Sequence, residues 1–248
     1  MRQFFLEDKG QVGQEVLLSL EDSHHLIHVL RAQAQEEIQL VSGGQVFEAV
    51  YLREEGGRAR VRLVQEKASH QTKRRVILIQ AMVKGQKFET ILQHGTEVGI
   101  DGFYPIQLAR SVSDIRAKYP KKRDRFEKIL RGAAEQSNAL EIPFLGDYLT
   151  LKDIGGLLGP EDLLLIPYEE EKPGQDLANL LGGVQGDIYY LIGPEGGFSP
   201  EEIAYLKKIG GRTLSLGPRI LRSETAALVA GFMLKNHLEG SRREDISD

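Results

Sequence analysis

The chain has 248 residues, of which 41% are hydrophobic and 27% are charged, and its formal net charge at pH 7 is −4. This composition predicts a globular protein with one large or two smaller domains, and the acidic balance argues against a generally basic nucleic-acid-binding coat. The absence of cysteine excludes disulfides, thiolate nucleophiles and cysteine-ligated zinc, and the lack of any apolar run of about eighteen residues predicts no membrane span or secretory signal, hence a cytoplasmic protein.

Short apolar segments separated by turns make up residues 1 to about 70, a pattern typical of a small β-barrel. Strands are predicted over 15–18, 37–41, 46–52 and 59–64. The glycine pairs Gly43-Gly44 and Gly56-Gly57 predict hairpin turns between the last three of these strands.

A helix is predicted from about Ser23 to Ala32, because apolar side chains recur there at helical spacing. The polar stretch 67–73 reads as a linker, after which the period of the pattern changes. We therefore divide the chain into an N-terminal domain, residues 1–70, and a C-terminal domain, residues 74–248.

The C-terminal part alternates strands with helices, which predicts an α/β fold with a mostly parallel sheet. The predicted strands are 76–83, 103–108, 163–167 and 188–192, and the predicted helices are 85–98, 121–138 and about 176–181. The acidic run 169–171 is interpreted as a solvated loop.

Basic residues are concentrated between Arg110 and Arg131, where nine Lys and Arg stand against three Asp and Glu. Such a segment predicts either a phosphate-binding patch for RNA or an ordinary solvated helix face. A second basic group near the N-terminus comprises Arg31, Arg53, Arg58, Arg60 and Arg62.

A first glycine-rich loop, residues 193–197, joins the apolar strand 188–192 to a helix start. Ser199 is placed to cap that helix, Pro200 suits its first turn, and Glu202 completes a capping box. A ligand can lie directly on backbone that carries so few side chains.

A second loop of the same kind follows the strand 213–216, contains Gly217, and leads into a helix that Ser223 is expected to cap. In open α/β sheets, ligands bind where the carboxyl ends of strands meet helix starts, so the two loops together predict one ligand site. The alternative is a pair of tight turns that need glycine for their backbone conformation.

The two loops carry the motifs GPEGGFS and LGPRILRSETAAL, and in this order and spacing they resemble the small-subunit ribosomal RNA uracil-N3-methyltransferases, the RsmE-type members of the SPOUT class. The resemblance extends over nearly the whole chain. Its other parts are the segments 1–5 (MRQFF), 25–31 (HLIHVLR), 84–85 (KG), 96–99 (TEVG), 110–112 (RSV) and 134–137 (AEQS).

This resemblance implies a PUA-like or OB-like barrel that binds RNA, followed by a SPOUT α/β domain whose C-terminal segment is tied in a trefoil knot. It implies S-adenosylmethionine as cofactor, a homodimer, and 16S ribosomal RNA of the small subunit as substrate. It also implies a cofactor pocket built by Leu191, Ile192, Gly193, Pro194, Glu195, Gly196, Gly197, Leu214, Leu216, Gly217, Ile220, Leu221, Thr225 and Ala226.

Methyl transfer to uracil N3 requires loss of an imide proton that is present at neutral pH. Arg222 is the candidate for stabilising the developing charge, and Glu195 is the candidate proton acceptor. The alternatives are a phosphate or carboxylate partner for Arg222 and a hydrogen bond to loop amides for Glu195. Arg2 is a third catalytic candidate. The absence of cysteine also favours a nitrogen or oxygen target, because methylation of a uracil carbon commonly uses a thiolate.

Contacts with RNA are expected from Arg2, His25, Arg31, Lys84 and Arg110. None of the six histidines has further potential ligand residues near it at the spacing of a metal site, so we expect no metal site. One position departs from the family pattern, since Ala139 stands where relatives commonly carry arginine.

Two other functions remain open at this point. One is a SPOUT methyltransferase that acts on a ribose hydroxyl or on another RNA, which the loops and the cysteine-free chain fit equally. The other is a non-catalytic RNA-binding module of ribosome assembly, which would bind RNA without binding the cofactor.

Overall fold

The computed structural model describes residues 2–68, 74–171 and 177–244, and these fall into two units. Residues 2–68 form the N-terminal unit together with Ala134–Glu141, and the remaining described residues form the C-terminal unit. The sequence did not predict that Ala134–Glu141 groups with the N-terminal residues. Most of the predicted linker, residues 69–73, lies outside the described residues.

A five-stranded sheet with the order β1-β3-β4-β5-β2 forms the N-terminal unit. Its strands are β1 (Gln3–Phe5), β2 (Glu15–Leu17), β3 (Glu37–Ser42), β4 (Gln45–Glu55) and β5 (Arg58–Lys67). β1 pairs with β3 in parallel, and the other pairs are antiparallel. The sequence analysis missed β1, whose three residues are too short to show a periodic pattern.

Both predicted hairpin turns are present, with positive φ at Gly43, Gly44, Gly56 and Gly57. The predicted helix begins earlier than expected, as α1 (Leu20–His24), and continues as one π-helical stretch, His25–Val29. The reason is Ser19, whose hydroxyl accepts a hydrogen bond from the Asp22 amide at 3.0 Å and so caps the helix four residues before Ser23.

The second basic group is largely neutralised within the N-terminal unit. Arg60 forms a two-point contact with Glu55, Arg53 pairs with the same carboxylate, and Arg62 pairs with Glu15. Arg58 donates instead to the carbonyls of Leu17 and Leu18. Three of the five arginines in this group therefore have carboxylate partners, Glu55 in the same hairpin and Glu15 in the neighbouring strand β2, which reduces the free positive charge near the N-terminus.

The C-terminal unit contains a sheet in which every pair among the described strands is parallel, as predicted. The order is β12-β10-β11-β6-β7-β8, with β9 also paired to β7. The strands are β6 (Val76–Ala81), β7 (Gly102–Gln107), β8 (Phe144–Leu145), β9 (Leu149–Thr150), β10 (Leu163–Pro167), β11 (Ile188–Ile192) and β12 (Arg212–Leu214).

Helices cover both faces of this sheet, so the central strands are buried along their whole length. Val76 and Leu78 of β6 belong to the core on one face, while Ile77 and Ile79 belong to the core on the other. The helices are α2 (Lys87–Glu97), α3 (Tyr119–Ser137), α4 (Ile154–Leu157), α5 (Leu177–Leu181), α6 (Pro200–Lys208) and α7 (Ser223–Glu244), with short 3₁₀ turns at Arg116–Lys118 and Leu151–Asp153.

Helix α7 returns from the edge strand β12 to the middle of the sheet, where it lies against α2, β6 and β11. Tyr190 of β11 is fully buried beneath it, donates to the Ala227 carbonyl at 3.0 Å, and has its pKa raised by burial. A Cβ at Gly231 would stand 2.6 Å from the Tyr190 hydroxyl oxygen. Gly231 therefore permits the close approach of α7 to the sheet.

Replacing Gly132 with alanine should stabilise the C-terminal unit. Gly132 is exposed within α3, and a Cβ there would meet no atom within 4 Å. Alanine loses less backbone entropy on folding, so the free energy of unfolding should rise by about 0.5–1 kcal/mol. Urea unfolding of the purified variant measures this, and a decrease in stability would contradict the open environment of the helix at this position.

Candidate functional site

The carboxyl ends of β11, β10 and β12 lie side by side at one edge of the sheet, because β10 stands between the other two strands. The first glycine-rich loop follows β11 and the second follows β12. The turn after β10 lies between the two loops, because β10 pairs with both strands. The N-terminus of α6 is built as the sequence predicts. The Ser199 hydroxyl accepts from the Glu202 amide, and the Glu202 carboxylate accepts from the Ser199 amide.

These loops enclose a cavity of about 370 Å³. Its walls come from the first loop (Gly193, Pro194, Glu195, Gly197), the second loop and start of α7 (Ile220, Leu221, Arg222, Ser223, Ala226), and Lys87, Pro167, Glu169, Ile192 and Phe198. A smaller cavity of about 120 Å³ adjoins it and is lined by residues 215–221, including Leu216 and Gly217. The structure thus brings the two loops to one site.

A chain of hydrogen bonds ties the start of α7 to the first loop. The Gln80 amide donates to Ser223 Oγ at 3.0 Å, and the Ser223 hydroxyl donates to the Gly193 carbonyl at 2.7 Å. Gln80 has no exposed surface. The prediction that Ser223 caps α7 is not what the structure shows, because its hydroxyl points to Gly193 and Gln80.

Glu195 lies in an ion-pair network at the mouth of the cavity. Its carboxylate accepts from the Lys84 amide and from Lys87 Nζ, both at 3.3 Å, and Lys87 also pairs with Glu224. Desolvation acts to raise the pKa of Glu195, but hydrogen bonds from its own amide, the Lys84 amide and Lys87 lower it overall. The pKa of Lys87 is raised, mainly by its bond to Glu224. Both groups are therefore charged at neutral pH.

Arg222 is exposed on the wall of the cavity, and its guanidinium makes no hydrogen bond or ion pair with any residue that the structure describes. It directly precedes α7, and its carbonyl accepts from the Ala226 amide at 2.8 Å. Among the described residues that line the cavity, Arg222 is thus a cation free to contact a ligand, whereas Lys87 is held between two carboxylates.

Several residues predicted for the cofactor pocket do not line either cavity. Leu191 and Leu214 are buried beneath the loops, in the core rather than on the cavity wall. Thr225 is exposed and lies outside both cavity linings.

Two residues predicted to contact RNA lie beside the first loop. The Gly196 carbonyl accepts a hydrogen bond from Arg110 Nη1 at 3.1 Å, which places Arg110 against this loop. Lys84 is exposed next to Glu195.

Three predicted contributors, Arg2, His25 and Arg31, belong to the N-terminal unit. Arg2 pairs with Glu36 at 2.9 Å, and the ring of His25 meets the edge of Phe4 with centroids 6.2 Å apart. Arg31 is exposed and has a positive φ of 53°.

Ala139 also lies in the N-terminal unit, and its carbonyl accepts from Gln3 Nε2 at 2.7 Å. The backbone of Ala139, the residue that departs from the family pattern, thus holds the segment after α3 against β1.

Several wall residues escaped the sequence analysis, namely Lys87, Pro167, Tyr168, Glu169 and Phe198. Glu169 is exposed in a turn, as predicted for a solvated loop, but it also lines both cavities, and a Cβ at Gly197 would stand 2.7 Å from its Oε1. The end of the predicted strand 163–167 was the available signal, since it reaches the same sheet edge as the two glycine loops.

No helix in the described part of the chain is both long and apolar enough to cross a membrane. No cluster of three or more His, Asp or Glu in the same residues is placed to hold a metal ion.

Comparison with known proteins gives consistent matches over most of the chain. A family model described as an RNA methyltransferase domain matches residues 70–235. Ribosomal RNA small subunit methyltransferase E of Bacillus subtilis is 32% identical over 244 residues, which cover 93% of this chain and 94% of that protein.

Two solved structures extend this likeness to the fold. Ribosomal RNA small subunit methyltransferase E of Neisseria gonorrhoeae, bound to S-adenosyl methionine, superposes with a TM-score of 0.84 at 27% identity, covering 96% of this chain and 98% of that one. A Legionella pneumophila protein solved with the same cofactor has a TM-score of 0.81 at 30% identity, with 95% and 97% covered.

Proposed function

The chain belongs to the ribosomal RNA small subunit methyltransferase E family, and from this premise we propose that it methylates N3 of a uridine in 16S ribosomal RNA with S-adenosylmethionine as the methyl donor. The observation that carries the proposal is the cavity between the two glycine loops, with Arg222 on its wall and without a partner in the described part of the chain. A cytoplasmic location, where ribosomal subunits are assembled, follows from this substrate.

The cavity fits the cofactor in size and in chemistry. Its volume of about 370 Å³ lies in the range of small-molecule sites, and the adjoining cavity of about 120 Å³ extends it. Ile192, Leu221 and Phe198 supply apolar walls for a flat purine, while the loop backbone supplies donors and acceptors for its polar edge. When bound, the cofactor would supply a methyl group on a sulfonium, to which an in-line nucleophile bonds as the C–S bond breaks and the neutral thioether leaves.

Arg222 is proposed to favour the uracil anion. A guanidinium that faces the uracil carbonyls stabilises the negative charge that spreads over them as the N3 proton leaves. Because Arg222 has no partner among the described residues, no ion pair must break before it meets the substrate. Its place directly before α7 keeps it at the same end of the sheet as the cofactor walls Leu221 and Ala226.

Glu195 is less suited to accept the N3 proton than the sequence suggested. Its carboxylate is engaged by the Lys84 amide and by Lys87, and its lowered pKa makes it a weak base. We assign Glu195 a structural role, in which its bonds to Lys84 and Lys87 hold the first loop beside α2. The proton then passes to solvent or to a group outside this network.

Replacing Glu195 with glutamine should therefore lower kcat less than tenfold, roughly, because glutamine still accepts hydrogen bonds at Oε1. The rise of log kcat with pH, which reports loss of the uracil proton, should keep its slope between about pH 6 and 9. Steady-state rates across this range provide the measurement. A loss of about a thousandfold or a flattened profile would return Glu195 to the role of proton acceptor.

RNA binding is proposed to involve both units. In the C-terminal unit, Arg110 lies against the first loop, and Lys118 and Lys121 are exposed at the start of α3. Arg123 and Arg125 of the basic segment are already paired with acidic residues, which reduces its free charge. In the N-terminal unit, the sheet is proposed to curve into a PUA-like barrel that presents Arg2, His25 and Arg31 to RNA.

A trefoil knot is proposed for the C-terminal unit. The chain leaves the edge strand β12 and re-enters at the sheet centre, where Ser223 bonds to the end of β6 and to the first loop. A knot requires in addition that this return pass through an earlier loop of the chain, an arrangement that is rare among protein folds.

A homodimer is proposed through α7, because Phe232 and Met233 leave 56% and 38% of their surfaces exposed on it. Exposed aromatic and methionine side chains on one helix are typical of subunit interfaces. Light scattering on the purified protein tests this part of the proposal.

The deciding experiment incubates the protein with labelled S-adenosylmethionine and small ribosomal subunits that lack this methylation, followed by mass analysis of the digested nucleosides. Methyl on uracil N3 is the expected result. Methyl on ribose would retain the cofactor and overturn the target atom. Cofactor binding without any transfer would point to another RNA, and RNA binding without cofactor binding would make the chain a non-catalytic module.

A further inference from the structure

The hydrogen bonds from Gln80 through Ser223 to Gly193 have a fixed direction. Gln80 Nε2 donates to the Ala81 carbonyl at 2.8 Å as well as to Ser223, and a carbonyl cannot donate in return. The Gln80 amide is therefore held with its nitrogen toward Ser223. Since Ser223 Oγ accepts from Gln80, its single proton is directed to the Gly193 carbonyl at 2.7 Å.

The same groups form a closed ring across three elements. Gln80 of β6 is the register partner of Ile192 in β11, and Gly193 follows Ile192 directly. Ser223 completes the ring from α7, 143 residues away from Gln80 in sequence. Gly193 also lies close to Phe198, because a Cβ on Gly193 would stand 3.0 Å from Phe198 Cε2. Gly193 is thus packed against the ring of Phe198 and bonded to the Ser223 hydroxyl.

The burial of Gln80 indicates that this arrangement serves more than packing. Gln80 is completely buried, and its Oε1 has no hydrogen-bond partner among the residues that the structure describes. An unpaired buried amide oxygen destabilises a fold, whereas an apolar side chain of similar size would avoid that penalty. A glutamine at this position is therefore best explained by its donor end, which acts on Ser223.

We propose that Gln80 and Ser223 are positioning residues that hold the Gly193 carbonyl as a fixed part of the cofactor cavity and thereby set the affinity for S-adenosylmethionine. Gly193 and Ser223 both line that cavity, and Gln80 acts on it only through Ser223. The inference rests on the proposed function. A loop that is already ordered loses less entropy when the cofactor binds, so binding is tighter.

The test compares two variants of nearly identical shape, Ser223→Thr and Ser223→Val, of which only the first keeps the hydroxyl. Calorimetric titration with S-adenosylmethionine should give a Kd within about threefold of the unsubstituted protein for Ser223→Thr and about tenfold weaker for Ser223→Val. The cofactor-free Ser223→Val variant should melt at a lower temperature than Ser223→Thr, because valine leaves the Gly193 carbonyl and one Gln80 donor without a partner, so both titrations are run well below the two melting temperatures. The kcat at saturating cofactor should fall much less than the affinity.

Gln80→Leu supplies the second arm of a double-mutant cycle. It should weaken cofactor binding about as much as Ser223→Val, and the double variant should be no weaker than either single one, because both remove the same chain of bonds. Equal affinities of Ser223→Thr and Ser223→Val, or additive losses in the cycle, would overturn the inference and leave the proposed function standing. Failure of the unsubstituted protein to bind S-adenosylmethionine would overturn both.

Discussion

Replacement of Arg222 with alanine is expected to lower kcat by about a hundredfold to a thousandfold, the size of effect seen when a group that stabilises developing charge is removed. The Kd for S-adenosylmethionine should stay within about threefold, because the apolar and backbone walls of the cavity remain. Single-turnover methylation of ribosomal subunits, with both substrates saturating, separates this effect from weaker RNA binding.

The charge and the shape of Arg222 are separated by the variant Arg222→Lys. Lysine keeps the positive charge but lacks the planar fork that can face two atoms of a uracil at once, so it should restore only part of the lost rate. Full activity of Arg222→Lys would indicate a general electrostatic role. A normal kcat in Arg222→Ala, with a raised KM for RNA alone, would instead make Arg222 a phosphate contact.

Replacement of Gly217 with valine is expected to weaken cofactor binding by a hundredfold or more, roughly, since its backbone strain and the displaced loop act together. The physical reason differs from a simple steric block. A Cβ at this position meets no atom within 4 Å, but the φ of Gly217 is +113°, which β-branched residues avoid strongly. The second loop must therefore change shape, and it lines the smaller cavity and continues into the larger one through Leu221.

Gly132→Ala is the matched control for this experiment, because it adds a side chain to a glycine of the same unit that is exposed on a helix. It should leave the cofactor Kd unchanged. Gly217→Val should unfold at nearly the same denaturant concentration as the unsubstituted protein, since its loop is exposed. Undiminished affinity in Gly217→Val would remove the second loop from the cofactor site.

Local chemistry explains why much of the fold was predictable. Strands β10 and β11 begin and end at the predicted residues, because uninterrupted apolar runs bounded by polar residues leave little choice of limits. The start of α6 was equally clear, since Ser199, Pro200 and Glu202 satisfy its first amides within one turn. The short strands β8 and β9 have no such signal and were missed.

The roles of individual site residues were harder to predict, because they depend on partners distant in sequence. Glu195 was a plausible base until Lys84 and Lys87, more than a hundred residues earlier, were found at its carboxylate. Ser223 had the sequence signature of a helix cap, yet its hydroxyl contacts Gly193. Both residues lie in loops that the sequence had identified, so the motif located the site but did not define the contacts.

The sequence by itself determined the alternation of strands and helices, the two glycine loops and the family, because periodicity, capping and motif spacing are properties of neighbouring residues. Only the tertiary structure decided that β10 lies between β11 and β12, which brings Glu169 to the cavity. It also decided that Arg222 stays unpaired among the described residues, while Arg60 and Arg62 of the second basic group pair with carboxylates. The reason is that strand order and ion pairing join residues that are far apart along the chain. A local sequence pattern does not specify which of these distant residues come into contact.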